Sequence, residues 1–303
     1  MATTTTPTTT PAVLTGAPTF TRPVERPIVR TLRRFRRHRM AVIGVITIVI
    51  LVILALVGSE TAALKQNLAQ ANQAPSPEHW FGTDRNGRDV FARTLVGGRV
   101  SLMVGLIATL FSAFIGTILG AIAGFYPRAD MVIMRVVDIV MSFPTIILLL
   151  IAASILGPGI VNLMIMIGLI TWTVPCRIVR GQFLTLRESD FATAARVLGV
   201  SDTGIVVRHI LPNATAPLLV FLSLGVASAV LIEAGLSYLG LGVQPPTPSW
   251  GNMLNAARSV TTLEKHPWQW IPPAVFTVVF VLAVNFAGDG LRDALDPRGS
   301  KDS

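Results

Sequence analysis

The sequence predicts an all-α polytopic membrane protein with six transmembrane helices and both termini on the cytoplasmic side. Three observations predict it. First, 51% of the 303 residues are hydrophobic and only 14% are charged, at a mean hydropathy of +0.63, whereas soluble domains carry roughly 25% charged residues. Second, the apolar residues gather into runs of about 20 uncharged positions, the length that crosses a hydrocarbon core about 30 Å thick. Third, eight of the 25 Lys and Arg lie between Arg22 and Arg39, just ahead of the first run. That placement orients a membrane protein. It does not make a nucleic-acid-reading face, despite a formal net charge of +9.

Residues 1–20 are rich in Thr, Pro and Ala without periodicity and are expected to be disordered. With the basic cluster they make a cytoplasmic tail, residues 1–39. Met40–Val57 is the first span, 18 uncharged residues. A cleavable signal peptide is the competing reading, but the basic region is long for one and Leu56-Val57-Gly58-Ser59 is a weak cleavage site. Ser59–Arg99 is polar and completes an N-terminal unit, residues 40–99. Asp89 and Arg93 are spaced to pair on a helix face, and Val90, Phe91 and Leu95 suggest a helix lying along the interface.

The core membrane unit is expected over residues 100–289. Val100–Pro127 forms the second span and Tyr126-Pro-Arg-Ala-Asp130 a tight turn. Span three begins at Met131 and carries Arg135 and Asp138. Ile139–Cys176 is uncharged for 38 residues, about 57 Å as one helix. That exceeds the bilayer, so the run folds back, at Gly157-Pro158-Gly159. A polar loop, 187–212, precedes span five, Ile210–Ile232, with Glu233 at its far end. A Pro/Gly-rich outer loop, 237–270, leads into span six, Ile271–Gly288, opened by Trp268 and Trp270 as an interfacial belt. Residues 290–303 form a second cytoplasmic tail. With the N-terminus inside, 18 of the 25 Lys and Arg fall on the inner side and seven on the outer, five of those in Ser59–Arg99. The imbalance favours this orientation, though the outer side is not clean.

The loop between spans four and five carries the functional argument. Ser189 or Asp190 suits an N-cap, Phe191–Leu198 has helix-forming composition, and Gly199 suits the C′ position that needs positive φ. Ser201-Asp202 offers a second N-cap for a helix over Thr203–Ile210. Ala192, Ala194 and Ala195 would let a partner approach closely, flanked by Arg187, Asp190 and Arg196. An ordinary surface loop fits the same residues.

This loop resembles the cytoplasmic signature of binding-protein-dependent ATP-binding-cassette importers: Glu-Ala-Ala, three residues, Gly, nine residues, an apolar residue, any residue, Leu-Pro. Thr193-Ala194-Ala195, Gly199 and Leu211-Pro212 occupy its positions. Thr193 replaces the acidic residue and His209 the apolar one. Other segments resemble the C-type permease subunit of peptide/nickel importers: Trp80–Phe91, Gly97–Leu102, Asp138-Ile-Val-Met-Ser-Phe-Pro144, Glu233–Gly242 and Pro245–Met253. Together they cover about residues 30–298.

The resemblance implies a type I importer permease fold in a bacterial or archaeal cytoplasmic membrane. It implies a heterodimer with a sister permease, two cytoplasmic ATPases that bind ATP and Mg, an extracytoplasmic binding protein, and dipeptide or oligopeptide cargo. Nickel complexes, glutathione and haem are cargoes of related permeases. The ATPase-coupling residues it marks are Arg187, Asp190, Phe191, Thr193, Ala194, Ala195, Arg196, Leu198, Gly199, His209 and Pro212.

Candidate path or gate residues are Asp138, Ser142, Phe143, Pro144 and Glu233. For Asp138 the alternative is a pair with Arg135, for Phe143 packing, and for Glu233 a local ion pair or a cap on the following loop. Trp250 and Asn252 are candidates for binding-protein docking, against a folded cap over the helix ends. Cys176 is read as packing, and a lone cysteine makes no intrachain disulfide. No phosphate loop, hydrolytic constellation or metal cluster is legible, so the chain is expected to be no enzyme, with energy from another polypeptide. A secondary transporter or channel would need acidic residues at mid-membrane or inverted repeats, and neither is evident.

Overall fold

The computed structural model describes residues 27–295. The expectations for residues 1–20 and for the last residues of the C-terminal tail lie outside the described residues. Among the described residues the secondary structure is helical, apart from one isolated bridge between Thr83 and Asp89.

A basic helix α1, Pro27–Arg37, precedes the first span, α2, Arg39–Val57. The junction is His38, whose Nδ1 accepts from Ala41 N at 3.1 Å and so satisfies one orphan donor of α2. A short helix α3, Glu60–Leu64, follows. The central element is α4, Val90–Phe125, against which α2, α7, α8 and α11 all pack. It runs straight through the boundary expected at residue 99. Residues 90–99 are its first turns, not a separate interfacial helix. Asp89 is its N-cap, accepting from Ala92 N at 2.8 Å, and this removes Asp89 from the expected pair with Arg93.

α5, Pro127–Met141, and α6, Thr145–Leu156, correspond to the third span. At Pro144 the helix breaks: the two axes meet at 89°. Pro144 has no N–H to continue the ladder and disfavours helical geometry at Phe143. The Ser142 hydroxyl adds a bond to Asp138 O at 2.7 Å. The chain then reverses where expected, at Gly157 (φ 74°) and Gly159 (φ 152°).

α7, Ile160–Thr171, and α8, Thr173–Leu186, continue as a single apolar rod of 27 residues, ten beyond the span end expected at Cys176. α8 lies tightly on α4 because Gly116, Gly120 and Gly124 present a side-chain-free stripe. A Cβ at these glycines would sit 2.7 Å from Trp172 O, 2.5 Å from Cys176 O and 2.4 Å from Phe183 Cβ respectively. Small residues four apart let helix backbones meet in a membrane.

α9, Asp190–Val197, is the loop helix. The expected second helix and span five are one rod, Asp202–Tyr238. Within it α10, Asp202–Gly204, passes through a π turn, Ile205–Ile210, and a 3₁₀ turn, Leu211–Ala214, into α11, Thr215–Tyr238. Pro212 explains the irregular stretch, since it removes one ladder donor and crowds the preceding turn. The loop after α11 forms α12, Trp250–Leu254, and α13, Val260–Lys265, before the last span, α14, Ile271–Leu295. Five helices are long and apolar enough to cross a membrane, and the count is six if the broken α5–α6 pair is one span. α4 and α11 begin and end at opposite poles. One pole is a polar cap, built from residues 59–89 and the loop after α11, and the other carries α9.

Candidate functional site

α9 hangs from the pole where α8 ends and the α10–α11 rod begins. Ser189 has the extended backbone of an N-cap, yet its hydroxyl turns back to donate to Leu186 O at 2.6 Å. The other end is closed by a two-bond C-cap. Gly199, at φ 76°, donates to Arg196 O at 3.1 Å, and Val200 N donates to Ala195 O at 3.1 Å. This pairing is the Schellman arrangement, which needs a residue in the left-handed region at C′. Gly199 adopts that conformation without the clash a Cβ would bring.

The two faces of α9 divide differently from the sequence expectation. Ala192 and Ala195 are buried against Phe125, Val179, Phe183, Ile205, Ile210 and Ala214. They belong to the seam that holds α9 on the bundle, so the close-approach role expected of them is corrected. An eight-residue helix of mostly small side chains carries too little periodicity to show which alanine faces in. The outward face is Asp190, Phe191, Thr193, Ala194, Arg196, Val197 and Leu198. Val197 and Leu198 are each 82% exposed and Phe191 is 40% exposed. Asp190 and Arg196 make no ion pair among the described residues. Arg187 is already engaged: it donates to Gly124 O at 3.1 Å, capping α4, and contacts Glu188 at 3.5 Å. His209 is half-buried in the π turn, and its carbonyl accepts from Asn213 Nδ2 at 2.7 Å; Pro212 is exposed.

The path candidates separate into two groups. Ser142, Phe143 and Pro144 lie exposed at the α5–α6 break. Asp138 is paired, but with Arg177 of α8 and not with Arg135. Below it Arg180 clasps Asp130 through Nε and Nη2, the latter at 2.7 Å. Two ion pairs thus tie α5 to the rod that leads into α9, a link the sequence did not reveal because its partners are 39 and 50 residues apart.

Glu233 does not face a path. It is fully buried, and Ser101 and Ser237 hydroxyls each donate to its carboxylate at 2.7 Å. Ser101 Oγ also accepts from Trp250 N at 3.1 Å, and Ser237 Oγ from Val243 N at 3.0 Å. The carboxylate therefore fastens α4, α11 and the loop after α11 together. Trp250 is likewise no docking surface. Only 1% exposed, it stacks near Phe276 and Phe280 and donates from Nε1 to Thr94 O at 2.9 Å. Gly98 leaves room for its ring: a Cβ there would lie 2.9 Å from Trp250. Asn252 forms a reciprocal capping box with Ser249 and donates to Thr247 O at 2.7 Å, so it too is spent on the loop.

The polar cap holds what sequence reading missed. Arg88 Nε donates to Asp84 at 2.7 Å, Arg93 approaches the same carboxylate at 3.6 Å, and His79 pairs with Asp89 at 2.7 Å. The i,i+4 spacing of Asp84 and Arg88 was the available signal. Among the described residues no His, Cys, Asp or Glu side chains group as a metal site requires.

Two family models match. Residues 116–301 match the binding-protein-dependent transport system inner membrane component. Residues 27–75 match the N-terminal membrane domain of oligopeptide transport permease C. A putative peptide permease protein of Brucella suis is 48% identical over 276 residues, 90% of this chain and 91% of that protein. The dipeptide transport system permease protein of Alkalihalophilus pseudofirmus is 44% identical, covering 77% and 76%. A glutathione transport system permease protein of Pectobacterium atrosepticum is 42% identical, covering 75% of each. Among solved structures, an inward-facing MetNI methionine ABC transporter chain shares the fold, with a TM-score of 0.55 at 19% identity over 67% of this chain and 97% of that one. The chain belongs to the inner-membrane components of binding-protein-dependent transport systems, and within them to the C-type permeases.

Proposed function

We propose that this chain is one permease subunit of an ATP-driven importer of dipeptides or oligopeptides. In this reading it pairs with a sister permease in a cytoplasmic membrane, with both termini inside. Two ATPases bind ATP and Mg on the inner side, and a binding protein delivers peptide from the outer side. ATP draws the ATPases together, α9 moves with them, and the membrane helices exchange inward for outward access.

The observation that carries the reading is the outer face of α9. Phe191, Val197 and Leu198 hold exposed apolar surface on a capped helix at the pole of the bundle. Apolar anchors standing free beside Asp190 and Arg196 suit a pocket on a soluble partner, with charges at its rim. Thr193 brings no charge to the contact, so shape and apolar area dominate it. The seam beneath α9, and the α5–α8 ion pairs beyond it, give a pull on α9 a rigid route to the break at Pro144. The peptide cargo is supported by the relatives' names, and the glutathione permease relative favours glutathione as the second reading.

The test is a Val197→Asp/Leu198→Asp variant in the reconstituted complex. Transport-coupled ATP hydrolysis and peptide uptake are expected to fall at least tenfold, with the subunit still inserted and folded. Wild-type uptake by that variant would sink the coupling role of α9.

A further inference from the structure

The outer side of a membrane protein is the wrong side for arginine by the usual bias, yet residues 59–99 contain Arg85, Arg88, Arg93 and Arg99. Arg99 is accounted for by Glu60, at 2.7 Å, and by the carbonyls that end α2. The other three line one cavity of about 570 Å³ in the polar cap, which Arg258 lines as well. Its walls are the start of α4, the end of α11, the loop after it and the α12–α13 segment. The size falls in the range of small-molecule sites.

The charge in this cavity does not balance. Asp84 is the only acidic residue lining it, against four arginines. Arg88 and Arg93 are both buried and both lean on that single carboxylate, at 2.7 and 3.6 Å. Among the described residues neither Arg85 nor Arg258 has an ion pair, and the Arg258 guanidinium lies 5.9 Å from the centre of the Tyr238 ring. Burying cations costs free energy unless anions accompany them. Guanidinium groups gathered around a void match planar oxyanions, in the two-point geometry Arg favours. Asp84 shows that these side chains already grip a carboxylate.

We propose that this cavity binds the free carboxylate of a short peptide. Arg85 and Arg258 meet it at the mouth, and Arg93 supplies the charge that Asp84 leaves unpaired. The existence of an oxyanion site follows from the cavity alone, whereas its assignment to a peptide rests on the transport reading above.

The test uses the full chain with its co-purifying subunits, in uncharged nanodiscs and without binding protein. Affinity is measured calorimetrically for Ala-Ala and for its C-terminal amide, with inorganic phosphate as competitor. Ala-Ala is expected to bind, and the amide to bind roughly tenfold or more weakly, the usual scale for losing a charge-assisted contact. Arg85→Gln/Arg258→Gln, both at exposed positions, is expected to weaken Ala-Ala similarly while the fold is kept. Arg93→Gln should do the same, but its burial makes the surface pair the deciding variant. Equal binding of the amide, an unaffected surface pair, or phosphate displacing Ala-Ala at equal concentration would each overturn the assignment. Uptake in a strain lacking the chain is scored separately. Lost uptake without Ala-Ala binding overturns this site alone, and unaltered uptake overturns the transport reading alone.

Discussion

The two poles of the molecule spend their side chains in opposite ways. At the cap, the polar groups that the end of α11 and the loop after it bring are held internally: Glu233 by two serines, Asn252 by its capping box, and Trp250 by Thr94 and two phenylalanines. At the α9 pole, apolar groups are left outside, with Val197 and Leu198 at 82% exposure. The residues that look most functional in the loop after α11 are thus fastenings, while those that look like helix filler in the α9 loop are the free surface. A buried carboxylate or tryptophan indole N–H must be satisfied somewhere. A fold that can satisfy it internally takes it out of play for partners. Exposed Val and Leu on a polar loop have no such internal solution and stay on the surface.

The contrast breaks first, if it breaks, at Trp250. Trp250→Ala removes a fully buried ring and its bond to Thr94. About 3–5 kcal/mol of stability should be lost, the range for deleting a large core aromatic. Thermal unfolding of the detergent-solubilised subunit measures it. A docking residue would instead leave the melting temperature unchanged and weaken binding-protein capture.

Glu233→Gln is the next largest. The amide keeps one acceptor but turns an NH₂ toward a serine hydroxyl, at a cost of about 1–3 kcal/mol. Stability should drop, and uptake per folded subunit should stay within twofold of wild type. A large loss of uptake with unchanged stability would return Glu233 to the translocation path.

How much of this was legible in the sequence depends on where each residue's partner lies. The spans follow from the uncharged runs alone. The turn at Gly157–Gly159 and the cap at Gly199 follow from local backbone chemistry, and so does the interruption at Pro144, though not its 89° angle. What stayed hidden involves distant pairing. Ser101 lies 132 residues from Glu233, and Thr94 lies 156 from Trp250. The Arg177–Asp138 contact displaced the local Arg135 pair because α4's glycine stripe brings α8 close, setting the register for α5. The facing of α9 was hidden for a different reason: its alanines are chemically alike, and only the seam beneath distinguishes them.

That ambiguity supplies the most discriminating test, though its folding effect is the smallest. Ala192 and Ala194 are two residues apart on one helix, and the first is buried while the second is exposed. Ala192→Leu forces extra carbons against Phe183 and Ile205, and overpacking of that kind costs about 1–3 kcal/mol. Ala194→Leu adds the same atoms to open surface and should change stability by no more than about 0.5 kcal/mol. The two should therefore fail differently. Ala192→Leu should lower the yield of folded subunit while sparing ATPase stimulation per folded complex. Ala194→Leu should leave folding intact and reduce stimulation by crowding the partner surface. If both variants lose folded protein equally, α9 has no free face and the contrast between the poles collapses. If only Ala194→Leu loses coupling, the free face is mapped to within two residues.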